Sequence, residues 1–390
     1  MKKGRRIGGY AVTSCVSIVL TLAVVCFVFK IDVTRLPSQV SLLSKMAQVD
    51  MYVGHKYVDD YDFEKAADNA ASGYLSTLED DYAEYFSVEN EAENKKDTAG
   101  GRFGIGVNIA ADPTSGEITV IYVNRQSPAA KAGLKKYDVV TEYNGISAKG
   151  KTTDDFVKEI SGEEGKDVSL KILRGEKTID IRLKCADYTA DSVNWRTYEN
   201  LGIINITTFD DTTKEQFDDA VKSLKSEKVK GFIIDLRNNL GGSVDACTAV
   251  LDELLGECDT CRVRYNDGKI SVIGHSDKNM DDTPLCVLVN GYSASASEIF
   301  ACAIRDNERG KIVGTKTFGK GIMQTTYELS DSSAVKFTTA YVVDKSGETY
   351  HKKGLEPDVE VELSEDESKR FYFLDDKSDS QINECVKLFS

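Results

Sequence analysis

Histidine is almost missing from this chain: 390 residues hold only His55, His275 and His351. A hydrolase built on the usual histidine base has few places to find one. Positive charge is also short. Lys and Arg number 49 against 64 Asp and Glu, a formal net charge of −15, which argues against nucleic acid as a partner. Metal-binding cysteine patterns are short too. Cys258-Asp259-Thr260-Cys261 has Cys-x-x-Cys spacing, but no second pair exists to close a zinc site. Outside the cytoplasm that pair has the spacing of a disulfide; the scattered Cys185, Cys247, Cys286, Cys302 and Cys385 read as small buried side chains. What the chain does have is 41% apolar and 9% aromatic residues, enough for two or three packed domains rather than a disordered chain.

One long apolar run stands at the N-terminus. Ile7 to Phe29 is 23 residues without a charge, long enough to span a bilayer as a helix. Lys2, Lys3, Arg5 and Arg6 precede it, so the N-terminus is expected in the cytoplasm and everything beyond Lys30 outside it. The rival is a cleaved secretory signal. No small-x-small site follows the run, where Phe27-Val28-Phe29-Lys30 stands, so an uncleaved single-pass membrane anchor is expected.

The chemistry concentrates between Asn290 and Gln324. Leu285 to Val289 reads as a buried strand, and Ile299, Phe300, Cys302, Ala303 and Ile304 follow the spacing of one helix face. Between them lies Ser293-Ala294-Ser295-Ala296-Ser297-Glu298, a turn of small residues opening a helix. Unpaired N–H groups at a helix start favour negative charge, such as the oxyanion formed when a serine attacks a carbonyl. That serine needs a base. A lysine whose ammonium form is disfavoured by burial can serve. Lys320 qualifies, flanked by Gly319 and Gly321 and by apolar Phe318, Ile322 and Met323.

The Ser-Ala-Ser-Ala-Ser-Glu run, followed by Phe318-Gly319-Lys320-Gly321 and Gln324, resembles the carboxy-terminal processing peptidases, also called tail-specific proteases. The resemblance implies Ser295 as nucleophile, Lys320 as base 25 residues later and Gln324 as a residue that helps hold the lysine. It also implies an oxyanion hole from the N–H groups of Gly241 and Ala296, with Gly242 as the runner-up to Gly241. Leu240 departs from the family's commonest form, which has proline or a small residue before the glycine pair. No metal or organic cofactor is required. His351 follows a Ser-Gly turn and reads as an ordinary loop or strand residue rather than the base.

Read in order, the expected architecture is an α/β (α+β) multidomain chain. Residues 1–30 are the basic stub and anchor. Residues 31–98 are a linker and helical region, with stripes at Val40, Leu43, Met46, Val49 and at Phe63, Ala66, Ala67, Ala70, Tyr74, whose expected role is packing or a homodimer contact. The charged stretch 88–98 reads as an exposed loop. Residues 99–186 resemble a PDZ domain through Gly104-Ile105-Gly106-Val107, Ser127-Pro128-Ala129-Ala130 and Asn144-Gly145. Its glycine loop offers N–H groups to a terminal carboxylate, and a peptide can add along the next strand, with Ile105 to Val107 lining the groove. Residues 187–365 alternate strand and helix as an α/β peptidase core. Residues 366–390 form a tail ending in a helix.

The expected function is a membrane-anchored serine endopeptidase acting on exported polypeptides near their free C-termini, with the PDZ domain holding the chain end and gating activity. The rival is a membrane-anchored peptide-binding scaffold with a dead protease core, which nothing in Ser295, Lys320 or Gln324 favours.

Overall fold

In the computed structural model, which describes residues 36–161 and 165–389, the apolar runs of the core become parallel strands. Side chains alternate along a strand, so Ile204 and Ile234 bury on one face of the sheet and Ile203 and Ile233 on the other. The strand order is Val193–Tyr198, Leu201–Ile206, Phe232–Asp235, Leu285–Val289, Gly310–Gly314, Val359–Glu360. The first pair is antiparallel and the others parallel. On one face lie the helices Thr213–Ser226, Val244–Leu254 and Ala296–Asp306, which bury Phe217, Leu224, Val250, Leu254, Phe300 and Ile304. The opposite face receives Ile382 and Cys385 of the terminal helix Ser380–Leu388. Each such large apolar side chain stabilises the sandwich by about 1.5–3 kcal/mol.

A second sheet carries the lysine loop. Its order is Glu84–Phe86, Ala334–Val343, Cys258–Tyr265, Ile270–Ser276, and Ile322–Glu328 also pairs with Ala334–Val343. Through the Glu84–Phe86 ladder a segment 242 positions upstream of Gln324 reaches the strand next to Lys320. Cys258 and Cys261 are free thiols on one strand of this sheet.

The PDZ-like region is closed by Gly101–Gly104 pairing with Ala186–Thr189. Between them a sheet runs Val107–Ala111, Ile118–Val123, Val139–Tyr143, Asp167–Arg174, Lys177–Lys184, with its own core around Val120, Phe156 and Ile172. Val107–Ala111 is an edge strand, paired on one side only among the described residues. The helix Thr153–Ile160 starts at a capping box of Thr152 and Asp155.

Several expectations need correcting. Residues 88–98 are not a loop but the helix Val88–Thr98, because Ser87 caps it by accepting the Asn90 N–H and Glu91 turns inward to 4% exposure. The tail ends in the helix Ser380–Leu388, preceded by the short helix Glu365–Lys369 and a 3-10 turn at Phe371–Phe373. The chain divides into two units at Ala70/Ala71. In the first, the helix Leu36–Lys56 leaves Val40, Leu43, Met46 and Val49 exposed, and Tyr61 donates to Asp50. The expected anchor at residues 7–29 lies outside the described residues; among those, no helix is long and apolar enough to cross a membrane.

Candidate active site

Ser295 sits where the strand Leu285–Val289 turns into the helix Ala296–Asp306. Its φ of 56° and ψ of −116° place a non-glycine residue in a costly backbone region, which persists only when neighbours hold it. The flanking serines do that holding. Ser293 Oγ donates to the Leu236 carbonyl at 2.8 Å and Ser297 Oγ to the Asn239 carbonyl at 2.9 Å. Those two hydroxyls are therefore structural, and Ser295 is the half-buried one at the helix mouth.

A buried carboxylate ties the serine to the lysine. Glu298 is 0% exposed, and its Oε2 accepts both the Ser295 N–H at 3.0 Å and the Lys320 N–H at 2.7 Å. Its Oε1 accepts the Thr317 hydroxyl at 2.5 Å and the Gly319 N–H at 2.7 Å. One side chain thus clamps the nucleophile turn to the Gly319–Lys320 turn. Burial raises its carboxyl above the ordinary value, against the four donors that lower it. This residue was not singled out from the sequence, although Ser295-Ala296-Ser297-Glu298 has capping-box spacing.

Lys320 is half-buried, and burial first, then the Lys336 charge, holds its amine below the ordinary lysine value. Ser295 and Lys320 share the Glu298 oxygen through their backbone N–H groups, but their side-chain tips share no hydrogen bond among the described residues. The Lys320 amine lies 4.5 Å from the centroid of the Tyr82 ring. Gln324, expected to hold the lysine, instead donates to the Tyr82 carbonyl at 2.8 Å, because Tyr82 stands between them. Tyr82 too is not a site residue on the sequence, where it stands in the acidic and aromatic stretch 79–86 whose expected role is packing or a dimer contact. His351 lies against the same loop, since a Cβ on Gly321 would sit 2.7 Å from its N, and Lys352 N–H reaches the Gly319 carbonyl. Its Nδ1 is buried with no hydrogen-bond partner among the described residues, and burial keeps the ring below its ordinary value.

Of the two N–H groups expected to form an oxyanion hole, one is engaged and one is not. Ala296 N–H has no acceptor among the described residues, as expected of the first helical position. Gly241 packs directly beside it: a Cβ there would lie 2.7 Å from Ser295 Cβ and 2.9 Å from Ala296 N, and its φ of 105° suits only glycine. Yet the Gly241 N–H, expected to be free, donates to Asn239 Oδ1 at 2.8 Å. Asn239 folds back on the turn while its Nδ2 grips the Ile206 carbonyl at 2.8 Å. The Gly242 N–H has no acceptor among the described residues. Behind this turn Arg237 is buried between Asp235 at 2.7 Å and Asp379 at 2.8 Å, pinning the C-terminal segment to the strand that leads to Gly241.

In the PDZ-like region the N–H groups of Ile105 and Gly106 have no acceptor among the described residues, while their carbonyls are taken by Ala129 and Asn124. Gly106 must be glycine, since a Cβ would fall 2.1 Å from that of Ser127. The Ile105 side chain, expected to line the groove, is in the domain core at 4% exposure; Val107 stays half-buried on the edge strand. Gly104 closes the Gly101–Gly104 strand opposite Ala186. Among the described residues no group of His, Cys, Asp and Glu is arranged to hold a metal ion.

A serine on a strained turn at a helix mouth, a desolvated lysine on the adjoining loop and a second domain with a glycine loop leading into an edge strand define a serine-type peptidase core with a PDZ domain. The comparisons agree. Residues 200–361 match the model of peptidase family S41, and residues 101–185 that of the PDZ domain. A probable CtpA-like serine protease of Staphylococcus aureus (strain N315) is 32% identical over 355 residues, 90% of this chain and 71% of that one. The photosystem II D1 C-terminal processing protease is 30% identical, with a TM-score of 0.51 over 81% of this chain and 86% of that chain. A putative S41 protease from Bacteroides fragilis shares the fold at a TM-score of 0.59, with 15% identity over 85% and 92% of the two chains. The chain belongs to peptidase family S41 and is a serine peptidase acting on polypeptides.

Proposed function

We propose that this peptidase works through a Ser295/Lys320 dyad. The observation that carries the reading is the Glu298 carboxylate, which fixes the backbones of both residues on one oxygen. Neutral Lys320 takes the proton of Ser295 Oγ as that oxygen attacks the peptide carbonyl carbon. The Ala296 N–H receives the oxyanion, joined by Gly241 once its N–H leaves Asn239. Lys320 then returns its proton to the departing amine, and water hydrolyses the acyl-enzyme. Gln324 acts through Tyr82, on which the lysine rests.

The PDZ domain is the receptor for a substrate's free C-terminus. The unengaged N–H groups of Ile105 and Gly106, with the glycines at 104 and 106, support a carboxylate seat, and the open Val107–Ala111 edge supports strand addition. Gating rests on the joint to the core: Arg125 pairs with Asp191 at 2.9 Å and stacks 4.7 Å from the Trp195 ring. Deleting residues 101–185 is expected to change both rate and selectivity. The charge-free run Ile7–Phe29 supports a single-pass anchor in the cell membrane, N-terminus cytoplasmic and both domains outside. The stripe Val40, Leu43, Met46 and Val49 supports a homodimer.

The test is cleavage of an unfolded polypeptide by Ser295→Ala and Lys320→Ala. Both are expected to be inactive and folded; full activity of the lysine variant would refute the dyad.

A further inference from the structure

The proposed chemistry needs Lys320 uncharged and beside Ser295, yet its amine lies on a ring. Tyr82 is a fixed feature of this site. Its carbonyl accepts Gln324 Nε2 at 2.8 Å and its N–H donates to Asp80 Oδ1 at 3.1 Å. Asp80 Oδ2 accepts the Thr338 N–H at 2.8 Å, and Glu84–Phe86 is laddered onto Lys336, Val335 and Ala334. The Tyr82 backbone is therefore held against the two strands that follow Lys320. Lys320 itself is anchored at its backbone by Glu298, at 2.7 Å. Its amine has no hydrogen-bond acceptor among the described residues, so no hydrogen bond ties it to the ring.

An aromatic face attracts a cation and offers a neutral amine little. We propose that Tyr82 is a positioning residue: its ring is the resting seat of the Lys320 ammonium, which leaves for the Ser295 hydroxyl on losing its proton. This rests on the dyad reading above. Tyr82 thereby sets the pH at which the peptidase turns on. It works against Lys336, whose charge is shared with Glu84 at 2.9 Å and with the Phe86 ring at 4.5 Å. Asp80 helps it by favouring the ammonium. Glu298 faces the backbone of Lys320 and is occupied by four donors. Burial and the Lys352 charge disfavour the charged form of the His351 ring. Burial and the charges of Asp81, Glu298 and Asp80 push the Tyr82 hydroxyl up, so the ring stays a neutral phenol.

The test is the pH profile of kcat/KM of the full-length protein on an unfolded polypeptide. Tyr82→Leu is expected to move the acid limb down by roughly 0.4 to 1.5 pH units, raising activity below the limb by roughly 3- to 30-fold. Tyr82→Phe is expected to leave it in place and Tyr82→Trp to move it up. An acid limb that stays or rises in Tyr82→Leu, with the circular dichroism of the wild type, overturns the proposal. Should the leucine variant misfold, the phenylalanine and tryptophan pair decides, since equal limbs in those two overturn it as well. Lys320→Ala is run alongside. Activity there removes the dyad itself, whereas an inactive Lys320→Ala with an immobile limb in the tyrosine series removes only the seat.

Discussion

Replacing Glu298 with glutamine exchanges one carboxylate oxygen for an NH2 group in a fully buried site. Four donors converge on the native side chain: Ser295 and Lys320 N–H on one oxygen, Thr317 Oγ and Gly319 N–H on the other. The amide oxygen can serve one pair. Either orientation leaves an N–H of the Gly319–Lys320 turn facing another donor. Two charge-assisted bonds are lost at about 1.5–3 kcal/mol each, roughly 3–6 kcal/mol in all. That is a large share of a domain's net stability of about 5–15 kcal/mol. The turn must shift to relieve the clash, and a displacement near 1 Å at a reacting group costs about 10²-fold in rate. The expected result is a fall of about 10²-fold in kcat with KM little changed, and a urea midpoint well below wild type. Circular dichroism, urea unfolding and steady-state cleavage of an unfolded polypeptide measure all three. A glutamine variant with wild-type kcat and wild-type midpoint would refute the clamp.

Other expectations follow from the same geometry. Gly241→Ala places a methyl 2.7 Å from the Ala294 carbonyl oxygen and from Ser295 Cβ, so kcat should drop by at least about 10²-fold while peptide binding to the PDZ domain is unchanged, as read by fluorescence polarisation. Lys336→Met removes a charge that holds Lys320 below the ordinary lysine value. Since activity is lost as pH falls through the Lys320 pKa, the acid limb should move to higher pH; an unmoved limb contradicts the assignment. Arg237→Met strands the buried carboxylates of Asp235 and Asp379 and should cost about 3–5 kcal/mol in urea unfolding. Amidating the C-terminus of a substrate peptide removes the charge expected on the Ile105 and Gly106 N–H groups. Its affinity for the PDZ domain should fall roughly 10- to 100-fold by calorimetry.

The order of domains was legible because each carries a local pattern: unbroken apolar strands such as Leu285–Val289, glycine turns such as Gly104–Gly106, and helix faces such as Ile299 to Ile304. The meeting of Ser295 with the Lys320 loop was legible too, since both motifs lie within one strand–helix–strand passage. What escaped the sequence depends on long-range pairing. Tyr82 reaches Lys320 only because Glu84–Phe86 joins the Ala334–Val343 strand, and no local signal announces that register. Gln324 was placed on the lysine and is found on the Tyr82 carbonyl for the same reason. Gly241 was expected to offer its N–H, and Asn239 takes it through a turn two residues long. Glu298 was readable as a capping residue, but not as a clamp, since Thr317, Gly319 and Lys320 arrive from elsewhere. Residues 88–98 form a helix in spite of their charge because Ser87 caps them and Glu, Ala and Lys are good helix formers.

Covalent labelling with a fluorophosphonate probe, followed by mass spectrometry of the modified peptide, tests the dyad most directly. The adduct is expected on Ser295, to be absent in Ser295→Ala, and to form far more slowly in Lys320→Ala. An adduct on another serine, or labelling of Lys320→Ala at the wild-type rate, contradicts it.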